Sequence, residues 1–209
     1  MIKRMAEIWF LTVMAFALGR PALAGGLTCS ATDPVGDPLW QSSTDQVEVP
    51  AYQDIVQIEA TKVGRSVFTF AMDMADEIPA APIFPLPSVS EMIWAWHLDT
   101  DPLTAPAGYP VAPGHTEVME FVVRVIWDGG TFRGELIDRR PLLTGGSALV
   151  RSMPFKISKS TLSVSVDADA LGNPSEFRLR AVTSDWEANQ EGNSGLSPLD
   201  IVPFTDCQL

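Results

Sequence analysis

Basic charge is scarce in this sequence: 14 lysines and arginines stand against 26 aspartates and glutamates, for a formal net charge of −12 at pH 7. A surface of that sign repels phosphate backbones and anionic lipid, which argues against nucleic acid or a membrane surface as partner and leaves cations and neutral ligands. Cysteine is limited to Cys29 and Cys207, with no Cys-x-x-Cys, so dithiol redox chemistry is not indicated. Beyond residue 24 no apolar run approaches the ~20 residues that a spanning helix requires, so no membrane insertion is expected. Gly-x-Ser-x-Gly, His-Glu-x-x-His and the phosphate-binding glycine loops are all missing. No motif therefore demands an enzyme, and no catalytic residue is assigned.

The first 24 residues read as a cleaved secretory signal. Lys3 and Arg4 are followed by an apolar stretch over 8–18, and Ala22-Leu23-Ala24 supplies small residues for cleavage. Removing Lys3, Arg4 and Arg20 together with Glu7 takes the formal charge to −14 for residues 25–209. That part has the length of one domain with a real core. The expected destination is the periplasm or the extracellular space. Two cysteines near the ends of one exported domain are most simply a Cys29–Cys207 disulfide, because domain termini often lie close together. Closing so long a loop is worth roughly 4–5 kcal/mol in the chain-entropy account. Two free thiols or an intermolecular bridge are the competing states.

Period-two alternation dominates the rest of the chain. Phe68, Phe70, Met72 and Met74 alternate with Val67, Thr69, Ala71 and Asp73, as in a half-buried strand. Trp94, Trp96 and Leu98 share one face of the next strand, and Ile93, Ala95, His97 and Asp99 the other. A long strand over 118–127 turns at Asp128-Gly129-Gly130 and returns over 131–138. Strands are also expected over 54–61, 155–157, 161–166 and 177–183, with one helical turn over 167–171. Prolines 79, 82, 85 and 87 make 78–88 an irregular connection, and 102–114 is another. The sum is an all-β, two-sheet antiparallel sandwich of the jelly-roll or immunoglobulin-like kind, with about eight strands and long Pro-rich loops.

The chemistry-bearing signal is a spaced acidic set: Asp33-Pro-Val-Gly-Asp37, then Asp54-Ile55, then Asp99-Thr100-Asp101. Carboxylates at loop starts and strand ends suit a hard cation such as calcium, which collects oxygen ligands from separate loops. Asp33, Asp37, Asp54, Asp99 and Asp101 are thus candidate metal ligands. The plainer account is that Asp33 and Asp37 shape a turn while Asp99 and Asp101 finish a strand. No EF-hand loop is present, since Pro102 follows Asp101 without the required Gly and Glu spacing.

The order of these pieces resembles a group of exported bacterial β-sandwich domains related to family-nine carbohydrate-binding modules and DOMON domains. The matching residues are Asp33, Gly36, Asp37, Asp54, Ile55, Ile78, Pro79, Asp99 and Asp101, and beyond Gly114 the likeness is one of strand rhythm. The resemblance implies a jelly-roll-like sandwich, often with bound calcium, and a ligand site on loops and one sheet face. Relatives bind sugar or haem, so fold alone assigns neither.

Flat indole faces stack on sugar rings, so the tryptophans bear on a glycan ligand. Trp94 and Trp96 share a strand face and read as core, which leaves Trp40 and Trp186, with Tyr109 on the long loop, as candidate ligand-binding residues for a glycan or other small neutral ligand. Under the haem alternative, of a periplasmic electron carrier, His97 with Met72 or Met92 would supply axial donors. A structural cell-surface accessory role is the third reading. Glu91, Asp99 and Glu120 supply carboxylates for a glycosidase pair on paper, but no motif requires one. Oligomeric state is left open.

Overall fold

The computed structural model describes residues 28–37, 49–101, 109–110, 118–188 and 194–208. The expected signal segment and Trp40 lie outside these residues. In chain order the strands are β1 (Thr28–Thr32), β2 (Ile55–Val63), β3 (Val67–Met74), β4 (Val89–Asp99), β5 (Tyr109–Pro110), β6 (Val118–Met119), β7 (Phe121–Trp127), β8 (Phe132–Asp138), β9 (Leu149–Ser152), β10 (Phe155–Ser158), β11 (Thr161–Asp167), β12 (Glu176–Ala188) and β13 (Ser194–Gln208). One antiparallel sheet has the order β1-β2-β3-β11-β10, and a second has the order β13-β12-β4-β7-β8-β9. The two pack as a sandwich. β5 and β6 form a separate two-stranded pair.

Alternation decides which side chains meet between the sheets. Phe68, Phe70, Met72 and Met74 of β3 are buried against Trp94, Trp96 and Leu98 of β4, and Phe177 meets Phe68 edge-on at 5.7 Å. Indole N–H groups in such a core need acceptors. Trp94 Nε1 donates to Tyr52 O at 3.0 Å and Trp96 Nε1 to Ala71 O at 3.3 Å, so both also tie the six-stranded sheet to the other layer.

The expected punctuation largely holds. Asp128 Oδ1 accepts from the N–H groups of Gly130 and Thr131 at 3.0 and 2.8 Å, and Gly129 takes φ +89°, which closes the β7–β8 hairpin. The helical turn is a 3₁₀ turn, Ala168–Leu171, ended by Gly172. Residues 78–88 carry no element, while most of 102–114 lies outside the described residues.

Among the described residues thirteen strands form where about eight are expected. The single strand over 118–127 is broken at Glu120, whose N–H donates to Leu98 O at 3.0 Å while its C=O accepts from Arg139 N at 2.8 Å. β1 and β9 are short and weakly apolar. β13, 15 residues long, is hidden in the sequence by Pro198 and Pro203, residues that a central strand excludes. Its register against β12 shifts next to both prolines, and as the terminal strand of its sheet it needs no outward N–H there.

Cys29 of β1 and Cys207 of β13 form a disulfide, Cα to Cα 5.4 Å, across a sequence separation of 178. Both are terminal strands, each of a different sheet. The bond closes one open side of the sandwich.

Candidate metal site at the sandwich edge

The same edge gathers carboxylates. After β1 the chain turns through Asp33-Pro-Val-Gly-Asp37, anchored where Asp33 N donates to Val56 O at 2.9 Å and reversed by Gly36 at φ +84°. One oxygen each from Asp33, Asp37 and Asp200 lies within 4.8 Å of the others. Asp200 arrives from β13, a strand that sequence periodicity does not reveal, so it is absent from the expected ligands. Its one sequence signal is a lone carboxylate inside the apolar run Leu199-Asp200-Ile201-Val202.

Asp54 stands beside them. It is 5% exposed; its Oδ2 accepts from Gly36 N at 2.8 Å, while Oδ1 is buried with no hydrogen-bond partner. Native structures seldom orphan a buried carboxylate oxygen without a reason. Asp200, 2% exposed, accepts from the N–H groups of Ile55 and Ile201 at 2.5 and 2.8 Å. Burial and the charges of Asp54 and Asp37 raise its pKa, against the lowering effect of those two N–H donors. The Asp33 carboxyl is pushed up to about 6 by burial, then by the charges of Asp200 and Asp37, a hydrogen bond to Asp200, and Asp54.

Among the described residues the ion pairs engage Glu91, Asp99, Asp128, Glu135 and Asp138, and none of these four carboxylates. The cluster could therefore hold a metal ion as its counter-charge. An all-oxygen donor set fits a hard cation, and ligands at ~2.3–2.6 Å from calcium lie at most ~5 Å from one another, the spacing observed.

Asp99 and Asp101 lie apart from this cluster. Asp200 pairs with Thr183, which pairs with Trp94, five residues along β4 from Asp99, or about 16 Å. The Asp99 carboxylate accepts from Arg178 Nε at 2.9 Å and also from Arg178 Nη2, and Asp101 N donates to Asp99 Oδ1 at 3.2 Å. These are strand-end contacts.

Of the aromatic candidates, Trp186 is half-buried on β12, packed on Ile93, Ala95 and Ile126 on the outer face of the six-stranded sheet. It pairs with Glu91, whereas the Tyr109 backbone pairs with Met119, near the Leu98 end of β4. Seven residues of β4, about 23 Å, separate those ends.

His97 also lies on the outer face, its Nδ1 buried without a partner; burial, then Arg180 and Arg139, lower its pKa to about 3. Met72 and Met92 are fully buried in the core on the opposite side, so His97 and either methionine do not face one group. Glu91 is salt-bridged to Arg133 at 2.5 Å, and Glu120 accepts from Thr100 N at 2.7 Å. These two and Asp99 are all engaged.

Among the described residues no helix is long and apolar enough to cross a membrane. No protein-family model matches the chain, and no curated protein matches it. What stands is a two-sheet antiparallel β-sandwich with a disulfide and an acidic cluster on one edge, and the likeness to sugar- and haem-binding sandwiches rests on the order of its short motifs alone.

Proposed function

We propose that this protein is an exported, non-catalytic binding domain whose sandwich is closed along one edge by a calcium ion held by Asp33, Asp37 and Asp200, with Asp54 supplying its free oxygen. The observation that carries the reading is the convergence of three carboxylate oxygens within 4.8 Å, with none of the described basic side chains ion-paired to them. Three charges so close repel strongly unless a cation or a proton intervenes. Calcium titration of the chelator-treated protein by calorimetry tests it: one bound ion is expected, and no heat of binding at millimolar calcium removes the reading.

A glycan is the ligand class supported by the motif order that resembles carbohydrate-binding modules, and by Trp186, a half-buried indole on an outer sheet face beside the Glu91–Arg133 pair. Glycan-array binding that is lost in Trp186→Ala supports this role; a blank array favours the structural accessory role. The haem alternative draws less support, because His97 and the methionines lie on opposite faces of β4 and its neighbours. A Soret band in the purified protein would restore it.

A further inference from the structure

The disulfide and the acidic cluster join the same two strands. β1 and β13 belong to different sheets and share no β-ladder. Cys29 sits four residues before Asp33 on one of them, and Cys207 seven residues after Asp200 on the other. β1 itself is a five-residue edge strand paired only with β2, with no fully buried residue. A peripheral strand of this kind detaches at low cost.

Resting on the calcium reading above, we infer that the ion and the disulfide form one coupled clasp, so that reduction of Cys29–Cys207 weakens calcium binding at Asp33/Asp37/Asp200 and calcium protects the disulfide from reduction. The buried, partnerless Oδ1 of Asp54, a carboxylate beside the cluster whose charge acts on Asp33 and Asp200, is the independent sign of a ligand there. Asp33 and Asp37 are ligands only while β1 is docked. With the disulfide intact, β1 is held to β13 and the binding-competent state dominates. When it is cut, the detached state gains population and apparent affinity falls in proportion to the competent fraction. Linkage makes the effect reciprocal.

The reductant is a dithiol. It passes two electrons and two protons to the S–S bond, giving two cysteine thiols, and is itself oxidised to a cyclic disulfide. No group of the protein other than Cys29 and Cys207 changes oxidation state.

The test uses the full mature chain and calcium alone as probe. Calorimetric calcium affinity is measured on the oxidised protein and on protein reduced and alkylated, with circular dichroism confirming that β structure persists. A loss of about five-fold or more on reduction is expected. In parallel, the thiol–disulfide equilibrium of the native protein against a dithiol buffer is read with calcium and with chelator, and should shift by the same factor toward the disulfide when calcium is present. Equal affinities in both redox forms, with binding intact, overturn the coupling and leave the calcium site standing. No binding by the oxidised protein overturns the site and the coupling together. If the reduced chain unfolds, the equilibrium measurement decides alone: a disulfide indifferent to calcium overturns the inference, and a shift supports it only if Asp37→Asn abolishes that shift.

Discussion

The N–H of Ile55, the first residue of β2, donates to Asp200 Oδ2 at 2.5 Å, so a carboxylate from the edge of one sheet terminates a strand of the other. The bond spans 145 residues of sequence. It places Asp200 where the turn 33–37 can reach it, and thereby joins the fold's boundary to the proposed ion.

Chelation should lower the melting temperature. At calcium a hundred-fold above its dissociation constant the native state gains about 2.7 kcal/mol, or about 5–10 °C for a domain of this size. Differential scanning calorimetry with calcium and with chelator reads this directly. Asp37→Asn and Asp200→Asn should flatten the response. Asp99→Asn should leave the calcium shift in place, because Asp99 spends its charge on Arg178.

Without calcium, stability should fall as pH rises from about 4 to about 6. The Asp33 carboxyl is raised from 3.8 to about 6, so between those values the folded state holds a proton that the unfolded state has released. Stability is then fully present below the lower value and lost as pH passes the upper one. Chelated protein melted across this range should show the decline, and Asp33→Asn should reduce it, leaving the part that the raised pKa of Asp200 contributes. Saturating calcium should reverse the trend, because the ion competes with that proton.

Gly134→Ala should destabilise the six-stranded sheet. A Cβ at this position would lie 2.5 Å from Met153 O, a backbone atom, and 3.0 Å from the Phe155 ring, where the chain crosses from β9 to β10. Overpacking of this kind costs about 1–3 kcal/mol. Urea unfolding should show a lower midpoint with an unchanged slope.

Phe177→Ala should cost about 3–5 kcal/mol, since the ring is 1% exposed and its removal leaves a cavity beside Phe68 and Phe70. The calcium affinity of the folded variant should be retained, because the Cys29–Cys207 disulfide stays intact and the Phe177 ring packs on Phe68 and Phe70 rather than on the carboxylates. A lost calcium response would mean that the core and the ion site are not independent.

Local chemistry was enough to read the core strands of this protein: alternation in β3 reflects one buried and one half-buried side, the shared face of Trp94, Trp96 and Leu98 marks the core side of β4, and Asp128-Gly129-Gly130 carries its own turn geometry. The turn Asp33–Asp37 and Asp54 were legible for the same reason, as carboxylates placed by glycine and proline at the ends of strands. Asp200 was not, because β13 tolerates Pro198 and Pro203 only through its position at a sheet edge, and edge status is a property of the assembled sheet. Asp99 has the same local look as Asp54. Only the tertiary structure separates them, by bringing Arg178 to one and to the other Asp33, Asp37 and Asp200, which none of the described basic side chains ion-pairs, since charge compensation depends on residues tens to more than a hundred positions away.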